Sequence, residues 1–347
     1  MKKRVVYIVE SFATGILFYL VNMTNSLKDD YDFLILHGMR KETPEDYKKL
    51  FPKNVKFIEI KDLKREISLK DFKALKEIKK ILKEERCDVI HLLSSKAGAL
   101  GRIGIHNKKM FYTPHSYSFL TTKKSRNFIY KGIEILLSKI NKKCKTIASS
   151  KSEYIETIKF NKNAVYVNNG ISIKDLSTYK VDKKKYTICN CGRIDHQKNP
   201  YLFNEIAESF PDLEFIWIGD GELRNVLTSK NIKVTGYLKK EEVLKMLSKN
   251  DIFIFPSFWE GLSIVLLEAM YLENICIVSN IDGNKYVVTN NKTGFLANTK
   301  EDYIKCINDI INDKVKVDKI RKNSRKEIIK NYNIEETCKQ YAKIYEE

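Results

Sequence analysis

The chain has 347 residues, of which 43% are hydrophobic and 31% are charged, so it holds enough apolar side chains for two ordinary domain cores. No run of 18 apolar residues occurs, and the first residues lead only into a short apolar segment, so we expect neither a membrane span nor a signal peptide. The seven cysteines are spread through apolar segments without paired ligand spacing, which indicates reduced thiols rather than disulfides or a zinc site.

The formal net charge of +19 is concentrated in one half of the chain. Residues 1–175 hold 36 Lys and Arg against 19 Asp and Glu, and residues 96–145 hold 12 basic side chains against a single acid, Glu134. A basic region of this kind attracts nucleic acid, anionic lipid or a phosphorylated substrate, although a lysine-rich gene composition produces the same enrichment. We expect the cluster at 96–145 to be functional.

Short apolar runs alternate with helical patterns through the first half of the chain. The runs predict strands at 4–10, 33–37, 55–60, 88–93, 110–113, 146–149 and 165–167. Helices are predicted at about 15–27, 69–85, 97–106, 127–141 and 151–158. In the segment 127–145, the apolar side is expected to face the core, with lysines around it in solvent; this side consists of Phe128, Ile129, Ile133, Leu136, Leu137 and Ile140. The surrounding basic residues include Lys123, Lys124, Arg126, Lys142 and Lys143.

The same alternation continues in the second half. Strands are predicted at 186–191, 214–218, 233–235, 251–255, 275–279 and 294–297, with helices between them. This βαβα order predicts parallel sheets that are covered by helices on both faces. The polar, lysine-rich residues 174–185 are interpreted as a linker between a first domain, 1–173, and a second domain, 186–332. The last segment, 333–347, contains a helix, and the sequence leaves open whether it packs back on the first domain.

Two stretches that follow strands of the first half carry candidate functional residues. His115 comes directly after the strand 110–113, although a single histidine at a strand end more often has a structural role. Gly15 follows the first strand in Phe12-Ala13-Thr14-Gly15, which does not match the G-x-G-x-x-G pattern of dinucleotide-binding loops.

Glycines and cations follow the first strands of the second half. Gly192, Arg193 and Lys198 lie just after the strand 186–191, while Gly219 and Gly236 form turns after the next two strands. Parallel α/β sheets bind ligands at the carboxyl ends of their strands, where these residues are expected. Arginine and lysine together suit a diphosphate, and glycine lets the backbone approach a ligand closely.

Glu260 and Glu268 frame the most informative stretch of the chain. Glu260 lies in a predicted loop between a strand and a helix, and Glu268 lies about two turns into that helix. Their separation along the axis, about 12 Å, is too large for an acid and base acting on one glycosidic bond. It suits two hydrogen-bond acceptors for one long ligand, with the helix start at Gly261 and Leu262 facing a phosphate between them. A nucleotide sugar has this layout.

Taken in order, these motifs resemble those of the retaining GT-B glycosyltransferases of family four. The similarity covers both halves of the chain and favours the subgroup that assembles bacterial surface polysaccharides such as capsule. It is carried by the stretches 91–98, 112–115, 167–171, 192–199, 218–221, 235–237 and 256–268. The resemblance implies an α/β GT-B fold, in which two Rossmann-like, doubly wound parallel-sheet domains face a cleft.

The resemblance also implies roles for the candidate residues. Arg193 and Lys198 would bind the donor diphosphate, and Glu268 would hold the ribose hydroxyls. Glu260 and His115 would contact the transferred sugar.

Glycines and backbone groups complete the implied donor site. Gly192, Gly219 and Gly236 would line it, and the backbone near Gly261 and Leu262 would face sugar or phosphate. Gly15 would lie near the β-phosphate, but Ala13 and Thr14 stand where the family usually has glycine, so this approach is expected to differ.

The function that the resemblance implies is a retaining, metal-independent hexosyltransferase with no cofactor apart from its donor, a nucleotide-sugar expected to be a UDP-sugar. The expected acceptor is a polyprenyl-diphosphate-linked saccharide. The enzyme would be cytoplasmic, held peripherally on the anionic inner face of the plasma membrane, and without a nucleic-acid partner. Two alternatives stay open: a sugar-nucleotide epimerase, which five histidines supply poorly with acid and base groups, and a non-catalytic anion-binding module.

Overall fold

The structure is a computed structural model that describes residues 2–121 and 124–347; the side chains at 14, 120, 121, 124–126 and 185 are outside the description. Lys123 of the predicted basic cluster therefore lies outside the described residues, as do the side chains of Lys124 and Arg126. The chain divides into two compact units. The first comprises Met1–Asn169 with Ile334–Glu347, and the second comprises Gly170–Asn333.

Strands and helices alternate along the whole described chain. The strands are β1 (Lys3–Val9), β2 (Tyr31–His37), β3 (Val55–Glu59), β4 (Val89–Leu93), β5 (Met110–Thr113), β6 (Cys144–Ala148), β7 (Val165–Tyr166), β8 (Lys184–Cys191), β9 (Phe215–Ile218), β10 (Ile232–Val234), β11 (Asn250–Phe255), β12 (Ile275–Ser279) and β13 (Phe295–Ala297).

Helices fill most of the connections, together with short 3₁₀ turns. They are α1 (Thr14–Ser26), α2 (Lys70–Glu84), α3 (Ser95–Gly104), α4 (Ser118–Thr121), α5 (Lys124–Ile140), α6 (Lys151–Thr157), α7 (Ile173–Leu176), α8 (Pro200–Glu208), α9 (Lys240–Lys249), α10 (Ile264–Tyr271), α11 (Asp282–Lys285), α12 (Lys300–Ile311), α13 (Val317–Asn331) and α14 (Ile334–Glu346).

The first unit contains a parallel sheet whose described strands have the order β3-β2-β1-β4-β5-β6-β7. The central strand β1 is buried on both faces from Val5 to Val9, because helices cover the two sides of the sheet. Helices α1 and α14 pack on one face, and α2 and α3 pack on the other. The last helix is tied to this core by Tyr345, whose hydroxyl lies 2.6 Å from His91 Nδ1 on β4.

The second unit contains a parallel sheet with the order β10-β9-β8-β11-β12-β13 among its described strands. The order reverses between β8 and β11, and such a switch point opens a crevice at the carboxyl ends of the strands. Residues 174–185, interpreted as a linker from sequence, belong to this unit: Leu176 of α7 is buried, and Tyr179 and Val181 pack on its core. The structure thus confirms the prediction of two parallel α/β units of Rossmann type.

The prediction that the apolar side of α5 faces the core is wrong. Leu137 is buried, but Phe128 is 85% exposed, Ile129 61% and Leu136 58%. Glu134 instead lies on the side of the helix that faces the protein. Its carboxylate is buried, 2.8 Å from the guanidinium of Arg102.

The Arg102–Glu134 pair is part of a buried network. The hydroxyl of Tyr112 donates a further hydrogen bond to Glu134 at 3.1 Å, and Arg102 lies over the Tyr112 ring. Removing one partner of a buried charge pair costs about 3–5 kcal/mol, so these contacts help to hold the helix with its acid inward and its apolar side outward.

The basic cluster at 96–145 is likewise not one solvated patch. Arg102 is buried, and Lys96, Lys131 and Lys145 form ion pairs with Asp71, Glu156 and Glu347, respectively. The exposed part of the cluster includes Lys139, Lys142 and Lys143.

Candidate functional site

Three glycine turns lie at the carboxyl edge of the second sheet, where strands β8, β9 and β10 end. Gly219 has φ 140°, and a Cβ on it would lie 2.2 Å from the carbonyl oxygen of Gly192. Its N–H donates to Thr235 Oγ1 at 3.2 Å, and it forms an isolated β-bridge with Gly236. The three predicted glycines, Gly192, Gly219 and Gly236, are thus brought together, and their lack of side chains lets these turns pack closely.

The loop after Gly192 is folded by its own polar side chains. Asp195 accepts a hydrogen bond from the N–H of Lys198 at 3.2 Å, and its second oxygen lies 3.2 Å from Nε of Arg193. Asn199 adopts φ 52° and caps α8, with Pro200 at the first helical position, where proline is well tolerated. The Arg193 side chain is exposed, so its guanidinium is accessible to a ligand.

Lys198 and Glu260 meet at this edge from two different loops. Lys198 Nζ lies 2.6 Å from Glu260 Oε1, and both side chains are largely buried. Backbone and side-chain bonds hold the loops together: the N–H of Phe258 donates to the Gln197 carbonyl at 2.9 Å, and Gln197 Nε2 donates to the Trp259 carbonyl at 2.9 Å. The structure therefore brings together the predicted cation and the first predicted carboxylate.

Glu268 lies in α10, is 4% exposed and forms an ion pair with Lys240. Burial raises the pKa of Glu268, and the neighbouring Lys240 ammonium offsets part of this rise. One carboxylate oxygen, Oε1, contacts Lys240, whereas Oε2 is buried and has no hydrogen-bond partner among the described residues. A buried acceptor without a partner is costly, and a hydroxyl donor from a ligand would satisfy it.

Lys240 is a site residue that our sequence analysis missed. It is the first residue of α9, which follows the β10 turn at Gly236, so its position after a strand end is the signal that would have found it.

Gly283 was missed as well. A Cβ on Gly283 would lie 2.4 Å from the Glu260 carbonyl oxygen and 2.5 Å from that of Gly261, so α11 supports the Glu260 loop from behind.

The loop from Glu260 runs directly into α10. Gly261 and Leu262 precede the helix, whose N-cap residue, Ser263, makes no side-chain capping hydrogen bond. The first backbone N–H groups of a helix have no partners within it, so this helix start offers donors to a phosphate or a sugar hydroxyl.

His115 in the first unit follows β5 in a left-handed conformation, with φ 51°. Its Nδ1 lies 3.4 Å from Asn169 Nδ2, and its ring packs against Tyr19 with 4.6 Å between centroids. Burial lowers the pKa of His115 to about 3, so the imidazole is neutral at physiological pH. Its Nε2 is buried and has no partner among the described atoms.

Gly15 is the second residue of α1 and is exposed. Nothing lies within 4 Å of the position that a Cβ would take, so no protein contact requires glycine there. The structure thus places Gly15 and His115 in the first unit, and the other predicted site residues at one edge of the second sheet.

Two further features concern the described part of the chain. No helix in it is long and apolar enough to cross a membrane. No group of three or more His, Cys, Asp or Glu side chains in it is arranged to hold a metal ion.

Two family models together match most of the chain. The model described as "Glycosyl transferases group 1" matches residues 146–327, which include the whole candidate site of the second unit. The model described as "Glycosyl transferase 4-like" matches residues 9–149.

Characterised relatives include bacterial enzymes of polysaccharide assembly. The UDP-Gal:alpha-D-GlcNAc-diphosphoundecaprenol alpha-1,3-galactosyltransferase of Escherichia coli is 32% identical over 316 residues, which are 81% of each chain. The capsular polysaccharide biosynthesis glycosyltransferase CapM of Staphylococcus aureus is 25% identical, over 90% of this chain and 92% of its own.

Solved structures with the same fold include the Anabaena protein HepE in complex with UDP. It superimposes with a TM-score of 0.78 at 16% identity, over 99% of both chains. At this identity the similarity concerns the fold, and it confirms the predicted GT-B class.

Proposed function

The chain belongs to the group 1 glycosyltransferases, and from that premise we propose that it moves a hexose or N-acetylhexosamine from a UDP-sugar to a polyprenyl-diphosphate-linked saccharide. The reaction would proceed with retention of the anomeric configuration and would contribute to a surface polysaccharide such as capsule. The Escherichia coli relative supports the proposed donor and acceptor, since that enzyme uses UDP-Gal and a diphosphoundecaprenol-linked sugar.

The observation that carries the proposal is the free oxygen of Glu268. Its Oε2 is buried at the carboxyl edge of the sheet without a partner in the described chain, while Oε1 is held by Lys240. A carboxylate fixed on one side and free on the other suits the paired hydroxyls of a ribose. We assign Glu268 to the ribose of the donor.

The cations of the same edge support the rest of the donor assignment. As the sugar leaves, negative charge grows on the diphosphate, and preorganised cations lower the barrier for that step. We assign this charge to Lys198, which is held against Glu260, and to the exposed Arg193. Because two side-chain cations and a helix start serve the leaving group, we propose that transfer requires no divalent metal.

Glu260 is assigned to the transferred sugar, and His115 of the first unit to a substrate hydroxyl. Glu260 is held in place by Lys198, and its loop is supported by Gly283. The His115 imidazole is neutral, and its Nε2 has no hydrogen-bond partner among the described residues. It can therefore form a hydrogen bond with a hydroxyl without carrying charge. With a lipid-linked acceptor, the enzyme would work at the inner face of the plasma membrane.

A donor panel tests the proposal directly. Purified protein is incubated with each UDP-sugar and a short-chain polyprenyl-diphosphate-sugar, and UDP release and product mass are measured. We expect one donor to be turned over, with activity unchanged in EDTA and an α-linked product from an α-linked donor, as read from the anomeric NMR coupling constant. A β-linked product would refute retention, and complete loss in EDTA that Mn²⁺ restores would refute metal independence.

A matched pair of variants tests the assignment of Glu268. Glu268→Gln should raise the KM for the donor at least tenfold, because the amide is a weaker acceptor and no longer pairs with Lys240. Glu214→Gln removes another ion-paired carboxylate, one that contacts Lys184 beside the start of β9, and should leave the KM unchanged. Equal KM values in both variants would overturn the ribose assignment.

A further inference from the structure

A buried carboxylate in the first unit joins the two loops that follow strands β5 and β6. Glu153, in the first turn of α6, is 3% exposed. Its Oε1 accepts a hydrogen bond from the backbone N–H of Ser116 at 2.7 Å. Its Oε2 accepts from the backbone N–H of Ser149 at 2.6 Å and from the Ser149 hydroxyl at 2.9 Å. Three donors from two loops therefore converge on one side chain.

This arrangement differs from ordinary helix capping. Ser150 is the N-cap residue of α6, and its hydroxyl accepts from the N–H of Glu153, which is the first half of a capping box. In a full capping box, the glutamate would in turn bond the N–H of the N-cap residue. Glu153 instead bonds Ser149, one residue earlier, and Ser116, which is 37 residues away in sequence. Capping of α6 does not require this contact with the loop after β5.

The loop after β5 depends on such a contact because its backbone is strained. His115 and Ser116 have φ values of 51° and 86°, in the left-handed region that residues with a side chain disfavour. Each such residue costs about 1–3 kcal/mol and persists only where the surrounding contacts impose it. The N–H of Ser116 belongs to the peptide group that joins His115 to Ser116, so its bond to Glu153 fixes the peptide that follows the histidine.

A second contact fixes the imidazole of His115. Asn169 Nδ2 lies 3.4 Å from His115 Nδ1, and an amide nitrogen can only donate, so Nδ1 accepts. The neutral ring then carries its proton on Nε2, which has no partner among the described residues. The backbone N–H of Asn169 donates to the carbonyl of Ser149 at 2.9 Å, so this contact also depends on the segment that Glu153 holds.

We propose that Glu153 is a positioning residue, which sets the direction of the Nε2–H group of His115 toward a hydroxyl oxygen of the substrate. The inference rests on the proposed function for the role of His115, while its own evidence is the set of hydrogen bonds that Glu153 accepts. The effect is geometric, because a displacement of about 1 Å at a substrate-binding group can lower the rate about 10²-fold.

Imidazole NMR tests the positioning without any turnover. Protein labelled with ¹⁵N-histidine contains five histidines, and His115→Ala identifies the signals of His115. Glu153→Gln keeps the size of the side chain but replaces one acceptor oxygen with a donor, so it cannot accept from both loops. We expect it to shift the Nδ1 and Nε2 resonances of His115 and to leave those of His37, buried on β2, unchanged. Glu153→Asp, which keeps the charge but is one methylene too short to span both loops, should shift the same resonances.

Glu134→Gln is the matched control. Glu134 is another buried carboxylate of the first unit, 5% exposed, and it bonds Arg102 and Tyr112 rather than the loop after β5. Circular dichroism verifies that the variants fold, and urea unfolding measures how much stability each one loses. Glu134→Gln should lose stability but leave the His115 resonances in place, so the comparison separates the positioning of His115 from a general loss of stability.

A double-mutant cycle links Glu153 to turnover. Glu153→Gln should lower kcat for UDP release about tenfold and leave the KM for the donor within about twofold of the wild type. In the His115→Ala background, the same change should lower kcat less than about twofold, because its effect passes through the histidine.

Two results would overturn the inference. The first is a set of His115 resonances that both Glu153→Gln and Glu153→Asp leave in place. The second is a pair of kcat losses that add in the double variant, which would show that Glu153 and His115 act independently. Failure of the proposed function has a different signature: no donor is turned over, while Glu153→Gln still shifts the His115 resonances.

Discussion

Lys198 and Glu260 form an ion pair, with 2.6 Å between Nζ and Oε1, although they come from loops that follow two different strands, β8 and β11. Both charges are largely shielded from water, because the two side chains are mostly buried and Nζ lies 4.3 Å from the centre of the Phe255 ring. Lysine is therefore preorganised beside the carboxylate that we assign to the sugar. Such a cation needs little rearrangement when the diphosphate leaves.

Lys198→Ala should lower kcat by about 10²–10³, the effect of removing one preorganised donor to a developing anion. Arg193→Ala should have an effect of the same order. Initial rates of UDP release at saturating donor measure both. The control is Lys184→Ala, which removes a lysine ion-paired with Glu214 on the surface and should leave kcat unchanged. Unchanged turnover in both site variants would contradict the leaving-group assignment.

The second prediction concerns Lys240 and the pH dependence of donor binding. Burial raises the pKa of Glu268 and Lys240 opposes this, so Lys240→Met should raise the pKa of Glu268 further. The ionised carboxylate is the better acceptor for ribose hydroxyls, so donor binding weakens as pH falls through this pKa. In Lys240→Met, the rise in KM should therefore begin at higher pH than in the wild type.

Steady-state KM values between pH 5 and pH 8 measure this shift. Lys245→Met, an exposed lysine on the same helix, should keep the wild-type profile. Superimposable profiles for Lys240→Met and the wild type would show that Lys240 does not tune Glu268.

Much of the fold and part of the site follow from the sequence, for a physical reason. Parallel strands that are buried on both faces read as continuous apolar runs, and strand β5, for example, is found at its predicted residues. The carboxyl ends of such strands share one edge, which is why Lys198 and Glu260 could be expected near each other.

The features that the sequence analysis missed depend on long-range contacts. Glu134 of α5 is buried against Arg102, which is 32 residues away in sequence, and no periodicity within α5 contains that information. A side chain at Gly283 would collide with the carbonyl groups of Glu260 and Gly261 in another loop, and the residues next to Gly283 in sequence do not indicate this contact.

The third prediction concerns the close packing of Gly283 against the Glu260 loop. In Gly283→Ala, the new Cβ would lie 2.4 Å from the Glu260 carbonyl oxygen, a distance that forces the loop to move. We expect kcat/KM to fall at least tenfold with the fold retained, because a displacement of the Glu260 loop separates the carboxylate from its substrate. Gly132→Ala is the control, since nothing lies within 4 Å of its Cβ position and alanine favours the helix. Wild-type kcat/KM in Gly283→Ala would show that the loop tolerates the movement.

The last prediction concerns the stability of the first unit in acid. His37 and His91 are both buried, and burial lowers the pKa of His37 from 6.5 to about 4 and that of His91 well below its usual value. The unfolded chain therefore binds more protons than the folded chain between these values, so stability falls as pH drops below 6.5.

His37 alone should cost about 2 kcal/mol of unfolding free energy between pH 7.5 and pH 5, and His91 should add to the loss in the same direction. Urea unfolding at the two pH values measures the loss. His37→Gln should remove about 2 kcal/mol of the pH-dependent part, because glutamine does not titrate and can still hydrogen-bond Tyr47, whose hydroxyl lies 3.0 Å from His37 Nε2. His106→Gln replaces an exposed histidine and should leave the pH dependence as it is. If His37→Gln lost as much stability on acidification as the wild type, the neutral state of His37 would not be what makes the first unit sensitive to acid.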